Sequence, residues 1–268
     1  MHHERLFIVP HEYTGQSESP TSNVAHGIEI SLQSTGRILK GELNSNYVLT
    51  DSEGKLYVWR VPKENPTVLS AIGDELTHTG FLTNGGFYRF RSIPEQVNFM
   101  NSTSQSELKT LPVLFTDGHG ILTSFVQGDP FDIYLRQGNL DATAKVLDNM
   151  HGAHRMGIVF GDRWVKNTIV TPDEDIVEVD FDIALEGNYT REFEIAQTLY
   201  HMVHFSLNRP DMLKYLRDYF SQTKMIGTYN SSTIHLFLKK YSEYFKDREY
   251  EDIGGDIRKE ISELTLYL

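Results

Sequence analysis

Hydrophobic residues change their spacing part of the way along this chain. Before Phe125 they fall in short β-rich runs separated by Gly, Pro, Asp and Ser, and after Gly128 they recur at three- and four-residue intervals. A period of two belongs to a half-buried strand, and a period near 3.6 to one face of a helix. The switch predicts an α+β protein with a strand-rich front, residues 1–126, and a helix-rich back, residues 127–268. A chain of 268 residues can bury a sizeable core, either as one large domain or as two modest lobes.

Within the front, residues 46–50 and 55–61 are the arms of an expected hairpin, because Asp51, Ser52, Glu53 and Gly54 between them suit a tight turn. Residues 62–91 carry Pro62, Pro66, Gly73, Gly80, Gly85 and Gly86, and read as an irregular insertion with small strands around residues 86–92. Ser92 can cap a following helix that tolerates Pro94 in its first turn. A second hairpin is expected from residues 111–115 and 121–126. In the back, Leu140, Ala144, Leu147, Met150 and His154 share a helical face that Gly157 stops. Phe193, Ala196, Tyr200 and Val203 mark another helix, as do Leu213, Leu216 and Phe220, and then Ile234, Phe237, Leu238 and Tyr241. A last helix opens at Asp256, after Gly254 and Gly255.

Composition narrows the chemistry. With no cysteine there is no disulfide, thiolate nucleophile or cysteine-ligated metal, so any metal is held by oxygen or imidazole. A formal charge of −12 argues against nucleic acid or an anionic lipid surface as main partner and leans toward a neutral or cationic substrate, though acidity also simply aids solubility. No stretch has the roughly 18 uncharged apolar residues of a membrane helix, and MHHERLFIVP lacks the pattern of a secretory signal, so a cytoplasmic protein is expected.

The segment from Gly157 to Asp182 carries the polar exceptions. Residues 168–170 and 176–182 read as a hairpin, with Val177, Val179 and Phe181 on one face and Glu178, Asp180 and Asp182 on the other. Asn167 and Asp180 then meet at one end of it, within reach of Asp162 in the preceding loop. Two carboxylates and a carboxamide make an oxygen-rich site suited to Mg²⁺, which takes a few protein oxygens and completes its shell with water and phosphate. Each residue alone is compatible with a turn or strand-end role; the joint order, loop Asp, Asn, hairpin, Asp, helix, points to chemistry.

That order, GDRWVKN followed by VEVDFD, resembles the catalytic loop and metal-binding segment of the protein-kinase-like superfamily. The likeness is to small members: aminoglycoside phosphotransferases, RIO-type kinases, the small kinase of the tRNA-modifying KEOPS assembly and lipopolysaccharide kinases. It implies a two-lobed fold, a β-rich N-lobe of residues 1–126 and a helical C-lobe of residues 127–268, with ATP and Mg²⁺ bound between them. By resemblance Asp162 orients the acceptor hydroxyl and takes its proton, while Asn167 and Asp180 bind metal. Gly41, Asn44 and Ser45 stand in the place of the phosphate loop, and Arg60 in that of the phosphate-binding lysine, with Glu95 as its acidic partner. Ser124, Phe125 and Val126 stand where the interlobe hinge meets adenine.

The departures are Phe160 in place of a loop histidine, Asp182 in place of glycine, and only about ten residues from Asp180 to the next helix, too few for a regulated activation loop. The last of these favours an open acceptor site and a small-molecule or atypical protein substrate; the function expected is transfer to a small-molecule hydroxyl. An atypical serine/threonine protein kinase of RIO or KEOPS type and a non-catalytic nucleotide-binding pseudokinase are the alternatives. His151 with His154, and His201 with His204, can each face one metal, but core histidines are the simpler reading. Glu192 and Glu194 are expected on a solvated helix face, unless one braces the catalytic loop.

Overall fold

The computed structural model describes residues 7–9, 31–39, 41–247 and 256–268. Most of the N-terminal decapeptide read above for a signal sequence, and the Gly254-Gly255 pair before the last helix, lie outside the described residues. The front of the chain forms β1 (Phe7–Val9), β2 (Ser31–Leu39), β3 (Asn44–Thr50) and β4 (Leu56–Pro62). They continue into α1 (Pro66–His78), β5 (Gly86–Phe90), α2 (Ile93–Ser104), β6 (Phe115–Thr116) and β7 (Ile121–Ser124). Among the described residues the main sheet has the order β1-β2-β3-β4-β7-β6, antiparallel except for the β1–β2 pair. The expected turn between β3 and β4 is held by Asp51, whose carboxylate accepts the Glu53 and Lys55 N–H groups, both at 2.9 Å, and the Tyr57 hydroxyl at 2.9 Å.

The back supplies β8 (Asp129–Pro130), α3 (Phe131–Arg136), α4 (Ala142–Arg155), β9 (Thr168–Val170), β10 (Ile176–Glu178) and β11 (Ile183–Gly187). Helices α5 (Thr190–Phe205), α6 (Arg209–Thr223), α7 (Ser231–Phe245) and α8 (Arg258–Leu264) complete it. The largest apolar cluster is gathered around α5, whose residues from Glu192 to Phe205 are all buried. Phe193, Leu199, Tyr200 and Val203 are fully buried in it, each of the order of 1.5–3 kcal/mol in burial free energy. A second cluster joins Met100 of α2 and Ile121 of β7 to Phe160 and Phe181. Among the described residues no helix is long and apolar enough to cross a membrane.

Three expectations need correction. Residues 62–91 are not irregular: Asn65 caps α1 by accepting the Val68 N–H, Pro66 sits in the first turn, and Leu69, Ile72 and Leu76 recur at helical spacing. The second hairpin is shorter than residues 111–126, because its first arm pairs only through Phe115 and Thr116. The strand from Ile176 ends at Glu178, since Asp180 takes a left-handed φ of 65° that no strand accommodates. Strand alternation therefore stops before Asp180 and Asp182, and Glu178, expected to share their face, is buried against Arg163 and Thr168. Beyond the break β11 pairs with β5 of the insertion, Ile183 opposite Phe90 and Leu185 opposite Tyr88, which brings α1 to the segment that carries Asp180 and Asp182.

Candidate active site

The loop after α4 is fixed from below before any of its side chains is aimed. Gly161 has φ 118°, and a Cβ there would lie 1.9 Å from the Ile183 carbonyl oxygen, so only glycine fits. Its N–H donates to Glu194 Oε1 at 2.8 Å. The other oxygen of Glu194 is 2.5 Å from His154 Nε2, and His154 Nδ1 is 2.8 Å from the Tyr229 hydroxyl. Arg91 donates to the carbonyls of Phe160, Phe181 and Ile183 at 3.0, 2.9 and 2.8 Å, with its guanidinium 4.1 Å from the Phe99 ring centroid. Burial and the neighbouring Arg163 push the Arg91 guanidinium down to about 10. Phe160 is buried beside Phe181, so Arg91 and Glu194 hold the loop where a histidine was missing. Glu192 and Glu194 are thus buried in α5 and not on the solvated face expected of them, while Glu194 braces the loop, as was allowed for one of the two.

On this base Asp162 is half-buried, with its Oδ1 accepting from Gln197 Nε2 at 2.6 Å. Its carbonyl accepts the Asn167 Nδ2 donor at 3.0 Å. Gln197 Nε2 also lies 3.3 Å from Glu75 Oε1, which accepts the Tyr241 hydroxyl at 2.8 Å. Burial raises the Asp162 carboxyl to about 6. Burial, with Asp162 as a second negative charge, raises Glu75 further, to about 8. Arg163 reaches Glu178 Oε2 at 3.2 Å and the carbonyls of Val179 and Asp180, tying the loop to the chain that carries the second carboxylate.

Asp180 and Asp182 face the main sheet. Arg60 on β4 pairs through Nη2 with Asp180 Oδ1 at 2.5 Å and with Asp182 Oδ1, and Asn44 Nδ2 donates to Asp182 Oδ2 at 2.5 Å. Burial works most strongly on the Asp180 carboxyl and raises it, but the Arg60 charge, hydrogen bonds with Asp182 and Arg60, and the Arg163 charge together hold it below the usual range. Asp182 is raised to about 6 by burial, because Arg60 and the Asn44 hydrogen bond offset only part of it and Asp180 adds repulsion. The non-glycine φ of 65° at Asp180 is a strained backbone setting of the kind found where a side chain must be aimed.

Asp162, Asn167 and Asp180 are therefore brought together. With Nδ2 of Asn167 given to the Asp162 carbonyl, the amide oxygen is its ligating atom, and Asp180 adds a carboxylate whose side chain is 44% exposed. One amide oxygen and one carboxylate fit Mg²⁺, which takes the rest of its shell from water and phosphate. Among the described residues no three His, Asp or Glu side chains form a metal cage.

Other expectations divide. Arg60 is in place, but its partners are Asp180 and Asp182. Glu95 instead binds Arg89 at 2.8 Å and closes a capping box with Ser92 at the start of α2, an outer face of that helix. Asn44 and Ser45 are strand residues opposite Pro62 and Val61, not members of a loop. Gly41 does lie in the turn before them, where a Cβ would come within 2.7 Å of the Asn44 carbonyl oxygen. Ser124 ends β7, the Phe125 N–H donates to Leu56 at 3.1 Å, and half-buried Val126 follows. His201 is fully buried 4.6 Å from the Trp164 ring, and His204 stacks on Tyr200, so this pair belongs to the core.

The residues not anticipated are Glu75, Arg91 and Gln197. Glu194 and Gln197, three residues apart among the buried residues of α5, are the pair that hydrogen-bonds to the loop, at the Gly161 and Arg163 N–H groups. No protein-family model matches this chain, and no curated protein matches it either.

Proposed function

We propose that the protein is an ATP- and Mg²⁺-dependent phosphotransferase of protein-kinase-like, two-lobed architecture that transfers the γ-phosphate to a hydroxyl of a small molecule. The observation that carries this reading is the neighbourhood of Asp162, Asn167 and Asp180: Asn167 donates to the Asp162 carbonyl, Asp180 is near enough for its charge to act on the Asp162 carboxyl, and Arg60 from the main sheet pairs with Asp180. Phosphoryl transfer needs positioning and charge neutralisation more than covalent help, and these are the groups it uses. Asp162 accepts the proton of the acceptor hydroxyl, and its raised pKa brings it toward the operating pH of a base. Asn167 and Asp180 hold the divalent ion, which when bound neutralises charge on the phosphates. Arg60, paired with Asp180 in this structure, would supply positive charge to the phosphates if a bound ion took its place beside Asp180.

A split between two variants tests this. Asp162→Asn keeps Mg·ATP affinity and slows turnover by roughly 10²–10⁴, whereas Asp180→Asn loses the Mg²⁺-dependent part of nucleotide binding. Equal ATP affinity in the parent and Asp180→Asn, measured by calorimetry with and without Mg²⁺, removes the metal role. A second reading has its own observation: Arg60 already neutralises both Asp180 and Asp182. A protein built for that pairing is a non-catalytic nucleotide-binding partner, and it binds ATP without dependence on Mg²⁺ and releases no phosphate from it. Transfer to a protein serine instead of a small alcohol appears in the same assay as labelled polypeptide.

A further inference from the structure

We propose that Glu75, carried in on α1, is a positioning residue for Asp162: it clamps the Gln197 amide that in turn aims the Asp162 carboxylate. The inference rests on Asp162 being the base of the proposed phosphotransferase. It also gives a role to the insertion between β4 and α2, which no part of the kinase-like resemblance accounts for.

The orientation of Gln197 follows from what surrounds it. Its Oε1 accepts the Arg163 N–H at 2.7 Å, and a backbone N–H can only donate, so Nε2 must face the two carboxyls. Nε2 has two hydrogens and two acceptors, Asp162 Oδ1 at 2.6 Å and Glu75 Oε1 at 3.3 Å. Rotating the amide away from Asp162 breaks both of these and the Arg163 bond as well. Glu75 is itself immobilised: the Tyr241 hydroxyl on α7 donates to it at 2.8 Å, the Trp164 side chain hydrogen-bonds to it, and the adjacent Leu76 is buried in the main core. Glu75, Gln197 and Tyr241 are all buried, where a lost hydrogen bond is costly.

A second feature places α1 at the same point. A cavity of about 10 Å³ lies beside Asp162, lined by Ile72, Glu75, Leu76, Ile183 and Phe193. That is room for about one water molecule. Ile72, Glu75 and Leu76 of α1 thus share this small cavity with Asp162.

Hydrogen exchange tests the clamp without any acceptor. Glu75→Leu removes both oxygens and keeps the bulk; Glu75→Gln keeps an acceptor oxygen. The expected result is that the Arg163 amide exchanges about tenfold faster in Glu75→Leu, as for loss of one hydrogen bond, relative to Leu216 in α6, and at the parent rate in Glu75→Gln. Phosphate release from Mg·ATP, with water as acceptor, then falls about tenfold in kcat with KM for ATP unchanged in the leucine variant only. The proposal is overturned if Arg163 and Leu216 loosen equally, or if the leucine and glutamine variants behave alike. Should Glu75→Leu not fold, Tyr241→Phe removes one anchor of Glu75 and carries the same comparison of Arg163 with Leu216. Failure of Asp162→Asn to slow phosphate release removes the phosphotransferase reading, while the exchange rates still decide what Glu75 does.

Discussion

Asp180 and Asp182 share the guanidinium of Arg60, whereas Asp162 and Glu75 share the neutral amide of Gln197. A full positive charge lets Asp180 stay ionised below its usual range, although burial works against it. An amide dipole cannot do this for two buried carboxyls, so both Asp162 and Glu75 are raised, Glu75 the further. Like residues only a short way apart are thus prepared for different work. On the proposed function the Arg60 side would exchange one cation for another, and the Gln197 side would hold a single carboxylate still.

The largest effect that can break this contrast is expected from Arg60→Met. It leaves Asp180 and Asp182 facing each other, a loss of 3–5 kcal/mol if both were fully buried. Because the Asp180 side chain is 44% exposed, solvent screens it and the expected loss is smaller, about 2 kcal/mol. Millimolar Mg²⁺ should return part of that in urea unfolding, since the ion can stand where the guanidinium stood. A loss indifferent to Mg²⁺ means these carboxylates do not take a divalent ion.

A smaller effect sharpens the other side. Glu75 binds its proton up to about pH 8 in the folded protein and only to about 4.5 in the unfolded chain. Between those values the folded state holds more protons, so its stability falls as pH rises; below 4.5 and above 8 this contribution is flat. Glu75→Gln has no such proton and no such decline. Its stability relative to the parent should therefore be greater at pH 8 than at pH 5. A difference that is the same at both pH values would mean that Glu75 is charged throughout.

How far the sequence announces these regions depends on whether the causes are local. The β3–β4 hairpin, the Ser92 cap and the order Asp162, Asn167, Asp180 are legible because each is set by neighbours in the chain. Helix α1 was hidden by Gly73 and the surrounding glycines, although Asn65-Pro66 and the spacing of Leu69, Ile72 and Leu76 mark it. The burial of Glu178 ran against alternation because Arg163, distant in sequence, supplies its partner. Glu75 had no local signal at all: its partners are Gln197 and Tyr241, and only the packing of α1 against α5 and α7 brings them together.

The smallest effect expected is at Glu95, and it concerns what a mobile α2 would do. Resemblance made Glu95 the partner of Arg60, but the structure has it on the outer face of α2, its side chain 44% exposed and paired with Arg89. An exposed pair of this kind contributes little, and the capping box is the larger part of its role. Glu95→Gln should then shift Tm by no more than about 2 °C and leave Mg·ATP affinity unchanged in calorimetry. A clear weakening of nucleotide binding would instead require α2 to turn until Glu95 reaches Arg60. That movement would have to begin by freeing Arg60 from Asp180 and Asp182, so the loss should vanish when Glu95→Gln is made in an Arg60→Met background, where there is no guanidinium left to receive it.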